Sequence, residues 1–210
     1  LLQALDLLER KHTTTIRIAD LSARDMFKKF RDNPFVKFLL AACISYATWY
    51  SLYHGYINPS TQLDRYVIDN LIDLSSWGLD KMGYSLIPEP RAADQIRTVG
   101  IDGTYGLWIG DPCDGIALFA LFTIFMVFYP GPLRHKFWFL PFGLLTIHLI
   151  NVLRIMALCI IVTYDYAYLD FNHNYTFTIL VYGYMFLLWI WWARKYSDMD
   201  KKIIAPSESR

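Results

Sequence analysis

Long uncharged runs alternate with short charged ones along this chain. Phe38 to Tyr53, FLLAACISYATWYSLY, carries no charge and is mostly apolar. Adding Phe35 and Val36, with Lys37 snorkelling back to the surface, brings it near the roughly 20 residues of a membrane span. Gly115 to Tyr129 carries no charge but is short, and Pro130, Gly131 and Pro132 stop it. Phe137 to Val162 is apolar apart from His148, Asn151 and Arg154. Tyr175 to Ala193 has no charge, and its far end is rich in tryptophan, as an interfacial belt is. Between the first two runs, LDRYVIDNLIDLSSWGL sets Leu63, Val67, Leu71 and Leu74 at helical spacing, with Asp64, Asp69 and Asp73 off that stripe. Too charged to cross, the segment 62–79 is expected to lie on the membrane surface. Asp102-Gly103 between apolar runs predicts a β-hairpin that delivers the chain to Cys113. The expected fold class is an all-α polytopic membrane protein: about four transmembrane helices, an outer interfacial helix and a small β-hairpin.

Charge in the flanks orients these spans. Lys28, Lys29, Arg31 and Lys37 precede the first, Arg134 and Lys136 join the second to the third, and Arg194, Lys195, Lys201 and Lys202 follow the fourth. An even number of crossings puts all three basic clusters on the cytoplasmic side. The loop from His54 to Pro112 has eight acidic and four basic residues, and YDYAYLDFNHN (164–174) has two aspartates and no lysine or arginine, so both face outward. The protein is expected in the cell (inner) membrane, multi-pass, with cytoplasmic termini. Residues 1–27 read as an N-terminal extension dispensable for function, 28–196 as the membrane-embedded domain and 197–210 as a polar cytoplasmic tail.

Composition sharpens this picture. Of 210 residues 55% are hydrophobic and 17% aromatic, which favours a membrane protein over a soluble core. A net charge of +1 gives no support for nucleic-acid binding. The three cysteines, Cys43, Cys113 and Cys159, are too few and scattered for a disulfide framework or a zinc site, and no cofactor or metal is expected. Cys43 and Cys159, inside apolar runs, read as packing residues.

Cys113 stands at the outer mouth of the second span. Arg154 lies 17 residues beyond Phe137, about 25 Å along a helix, near the outer edge of a hydrocarbon core about 30 Å thick. His173 lies two residues before Tyr175, where the fourth run begins, again on the outside. Three segments thus bring these residues to one leaflet. A cysteine attacks as thiolate, a histidine can take its proton and later protonate a leaving amine, and an arginine can stabilise thiolate or oxyanion. Together they are the parts of a thiol acyl-transfer enzyme. Arginine within an apolar run is costly and points to function, with snorkelling as its structural alternative. His148 and Asn151 read as helix-to-helix hydrogen bonders rather than metal ligands. Asp111 and Asp114 read as capping and interfacial charges, and a carboxylate beside Cys113 opposes its activation. A non-catalytic membrane scaffold, or a carrier for surface polymer assembly in which Arg154 binds an anionic group, is the competing reading.

CDGI opening one span, NVLRI within the next and NHNYTF opening the one after resemble the exosortase/archaeosortase family of integral membrane cysteine proteases and transpeptidases. The resemblance covers roughly Lys28 to Lys195, in a compact form. It implies a nucleophilic Cys113, an electrostatically stabilising Arg154 and a proton-carrying His173. It also implies a hydrolase whose partners are membrane-anchored substrate proteins. Such substrates end in a C-terminal sorting signal of short motif, single helix and basic cluster, and are passed to a glycan or lipid acceptor at the cell surface, or to water. Asp114 departs from the small residue that many members carry after the cysteine.

Overall fold

The computed structural model describes residues 31–88 and 97–197. The expectations for residues 1–30 and 198–210, including the dispensable extension and most of the polar tail, lie outside the described residues. The chain divides into residues 1–44 and 45–210. In the first unit the described residues open helix α1 (Pro34–Leu52), whose start is capped by Asn33 Oδ1 accepting from the Phe35 N–H at 2.9 Å. Cys43 is exposed on this helix.

The second unit carries the remaining elements. A π-helical turn (Tyr53–Ile57) and a helical turn (Asn58–Ser60) follow α1, and then α2 (Leu63–Lys81). The hairpin pairs β1 (Thr98–Val99) antiparallel with β2 (Leu107–Trp108), in the register Thr98 to Trp108 and Val99 to Leu107. Gly103, in the Asp102-Gly103 turn, takes φ +84°, a left-handed value that glycine adopts without strain. After a 3₁₀ turn at Asp111–Cys113 come α3 (Ile116–Phe128) and α4 (Leu133–Tyr164). A short helix (Tyr168–Phe171) and a π-helical turn (Asn172–Thr176) lead into α5 (Phe177–Tyr196).

Among the described residues, three helical stretches are long and apolar enough to cross a membrane: Pro34–Ser60, Leu133–Tyr164 and Tyr168–Tyr196. This is a membrane-embedded protein. The other apolar helix, α3, has 13 residues, a length of about 20 Å.

The fold corrects the expected face of α2. Its buried positions are Asp64, Ile68, Leu71, Ser75 and Leu79, whereas Leu63 is exposed and Leu74 only partly buried. The reason is its partner. Instead of resting only on lipid, α2 packs lengthwise along α4: Asn70 Oδ1 meets His148 Nε2 at 2.8 Å, and further on Gly78 lies against Met156. Small side chains at Ser75 and Gly78 let the helices close. The apolar interior forms two clusters. One joins α2, the hairpin and the C-terminal half of α4; the other joins α3, the N-terminal half of α4 and α5.

Candidate functional site

Cys113 ends the 3₁₀ turn that connects the hairpin to α3. Its N–H donates to the Gly110 carbonyl at 2.9 Å, and its own carbonyl accepts from Asn151 Nδ2 on α4 at 2.8 Å. The chain then reverses at Gly115, with φ +83°, and a Cβ there would stand 3.2 Å from Asn151 Nδ2. Glycine therefore serves both the turn and the close approach of α4. Asp114 caps α3, its Oδ1 accepting from the Ile116 N–H at 2.7 Å, as a short acidic side chain at a helix start can. Asp111 instead pairs with Arg97 at 3.0 Å.

His173 belongs to the π-helical turn before α5, a distortion that is frequent at functional sites. Its Nε2 lies 3.3 Å from Cys113 Sγ, and its Nδ1 lies 3.2 Å from Asn174 Oδ1. With the Asn174 oxygen as acceptor, the ring proton sits on Nδ1 and Nε2 is free to accept from the thiol. Arg154 approaches from α4, its Nη2 donating to the His173 carbonyl at 3.5 Å. Cys113, Arg154 and His173 line one cavity of about 240 Å³, with Ile109, Leu158, Tyr166 and Asp170 in the same wall. The three residues singled out in the sequence are thus brought together.

Burial raises the Cys113 thiol above its ordinary value and outweighs the downward pull of Arg154 and of a backbone hydrogen bond from Gly110; Asp114 adds a lesser upward push. The obstacle to ionisation is therefore desolvation more than the neighbouring carboxylate. Burial thus favours the neutral thiol over the thiolate, and His173 Nε2 is the group placed to take its proton.

His148 and Asn151 are both used in hydrogen bonds to other elements, Asn70 and the Cys113 carbonyl. Cys159 is buried, its Sγ 3.7 Å from the Val99 carbonyl, a packing position. Two residues that the sequence reading left aside lie next to the site. Asp64 on α2 is buried and accepts from the Tyr53 hydroxyl, and it is within hydrogen-bonding reach of Asp114. Burial, then that contact, pushes Asp114 far above the usual carboxylate range. The signal for Asp64 was its place at i, i+4 with Ile68.

The chain matches no protein-family model, no curated protein and no solved structure.

Proposed function

We propose that this chain is a membrane cysteine protease/transpeptidase of the exosortase type. It cleaves C-terminal sorting signals of exported proteins and transfers the product to a cell-surface acceptor. The carrying observation is the 3.3 Å contact of Cys113 Sγ with His173 Nε2, with Arg154 in the same cavity. The resemblance of CDGI, NVLRI and NHNYTF to that family supports the same assignment.

In this reading His173 Nε2 takes the thiol proton and Cys113 attacks the scissile carbonyl carbon. Arg154 offsets the charge that develops on the carbonyl oxygen. Collapse of the tetrahedral species breaks the C–N bond, and His173 gives its proton to the departing amine. The thioester on Cys113 is then attacked by an acceptor hydroxyl or amine, or by water, whose proton passes to His173 as the thiolate leaves. Asn174 and Asn151 position the imidazole and the cysteine turn.

The topology proposed with it has four crossings, α3 being the short one, in the cell (inner) membrane. The basic clusters lie inside, and the site opens toward the outer, periplasmic face. A substrate motif just outside its own membrane helix meets the cavity at that level.

The test is Cys113→Ser in cells that export proteins ending in a motif, an apolar helix and a basic cluster. Unprocessed, membrane-anchored precursors are expected to accumulate, with normal levels of the variant enzyme. A precursor profile identical to wild type would overturn the assignment and favour a scaffold or carrier.

A further inference from the structure

Asp64 and Asp114 are 5% and 4% exposed, the two buried carboxyl groups among the described residues, and Asp114 directly follows Cys113. Each has one donor: the Tyr53 hydroxyl gives to Asp64 Oδ1, and the Ile116 N–H gives to Asp114 Oδ1. Asp114 Oδ2 is buried and has no donor among the described residues. Helix α2 packs on the Asp111–Cys113 turn, and this sets the Asp64 carboxyl as the hydrogen-bonding neighbour of Asp114. Ionised carboxylates only accept hydrogen bonds, so two of them face to face out of water repel, and a proton between them turns repulsion into a bond.

We propose that Asp64 and Asp114 share one proton as a carboxyl–carboxylate pair, which ties the Cys113 turn to α2 and keeps one of two negative charges away from the thiol. Asp114 and Asp64 are positioning residues here, and the proposal rests on Cys113 being the reactive thiol only for its consequence in catalysis. The other groups facing the pair fit this state. Tyr53, from the turn after α1, donates to Asp64, and Asp111 on the cysteine turn is held by Arg97. Asn151 on α4 is neutral and occupied with the Cys113 carbonyl, while the cation on that helix, Arg154, bears on Cys113. No described cation is paired with Asp114 or Asp64. When the shared proton leaves, the second charge appears next to the thiol and raises its pKa.

The test follows alkylation of Cys113 by iodoacetamide against pH. It uses the full chain in detergent, and peptide mass spectrometry distinguishes Cys113 from Cys43 and Cys159. Asp114→Asn keeps the geometry, because its amide donates to Asp64 and its oxygen accepts from the Ile116 N–H, but it has no proton to lose. Its profile is expected at lower pH than wild type and without the wild-type broadening. The wild-type rate should be about ten-fold lower than the variant's once the pair has ionised, one unit of thiol pKa. Asp114→Ala lacks the bond and should not reproduce the asparagine profile. Coincident wild-type and Asp114→Asn profiles, or identical asparagine and alanine profiles, would overturn the pair. If Asp114→Asn fails to fold, infrared spectroscopy of the wild type decides: a protonated-carboxyl stretch at neutral pH that disappears on alkalinisation supports the pair, and its absence refutes it. Neither readout requires peptidase activity, so failure of the pair and failure of the proposed function are separable.

Discussion

The two apolar clusters of the second unit share α4 but are built from different materials. The cluster on the N-terminal half of α4 is aromatic and thioether-rich: Phe122, Phe139, Trp192, Met126 and Met185 are buried in it. Phe125 stacks on Trp189 with ring centroids 4.4 Å apart, and Phe122 fits against Gly143, where a side chain would collide with its ring. The other cluster is mainly aliphatic, drawn from Ile68, Leu71, Leu79, Val99, Leu107 and Ile155. Around it lie the buried polar groups Asp64, Ser75, Asp114 and Asn151. Interlocked rings fix helices by shape, and the buried Trp192 indole gives its N–H to the Pro130 carbonyl at 3.3 Å. Buried polar groups must satisfy one another, so they specify a geometry and make it sensitive to protons. Under the proposed function, one cluster is scaffold and the other carries the chemistry.

That contrast can be broken in the aromatic cluster first. Phe122→Ala removes a fully buried ring and should cost about 3–5 kcal/mol, read as a large drop in the thermal midpoint in detergent. The molecules still folded should process substrate at the wild-type rate per molecule. A loss of specific activity with unchanged stability would show that the aromatic cluster is more than scaffold.

Arg154→Lys tests the other side. If Arg154 only snorkels, lysine serves equally well. If it faces a developing oxyanion, lysine lacks the planar fork, and processing at matched enzyme levels should fall by about 10²–10³. Stability should change little. Wild-type processing by this variant would leave a Cys113–His173 dyad.

The smallest expected effect is a slope with pH. The folded-state pKa of Asp114 lies above its unfolded value, so the native chain keeps a proton that the unfolded chain releases. The stability held by that proton is complete below the ordinary carboxylate pKa, about 4, and declines as pH rises toward the raised value. The thermal midpoint should therefore drift down across this window in wild type and remain flatter in Asp114→Asn. Phe122→Ala should lower the midpoint equally at every pH. A wild-type profile as flat as that of Asp114→Asn would remove the proton-sensitive character of the aliphatic cluster.

Much of this architecture was legible because it is local. Apolar runs set the helices, the Asp102-Gly103 turn set the hairpin, and counting residues from Phe137 set Arg154 near the level of Cys113. The face of α2 was not, because helical periodicity ranks an aspartate as an outward position. Asp64 is inward because the Tyr53 hydroxyl donates to it and Asp114, 50 residues away in sequence, neighbours it. Tyr53 was hidden for the opposite reason: inside an apolar run a tyrosine reads as bulk, and its hydroxyl counts only once Asp64 is beside it. Asn151 was noticed as a polar residue in a span, but that its partner is the backbone of Cys113 is tertiary information.

The unequal lengths of α3 and α4 carry a further consequence. Thirteen residues reach about 20 Å and thirty-two about 48 Å, against a hydrocarbon core about 30 Å thick. In the proposed four-crossing topology, a bilayer that holds both dips where α3 crosses, at a modest elastic cost for each ångström of mismatch. Cys113, at the head of α3, would then lie at the floor of a dimple in the leaflet that the site opens to. A substrate helix of ordinary length arriving there would be too long for the thinned lipid, and its outer end would be exposed at the level of the thiol. The membrane itself would then act as a gauge that selects which bond is presented.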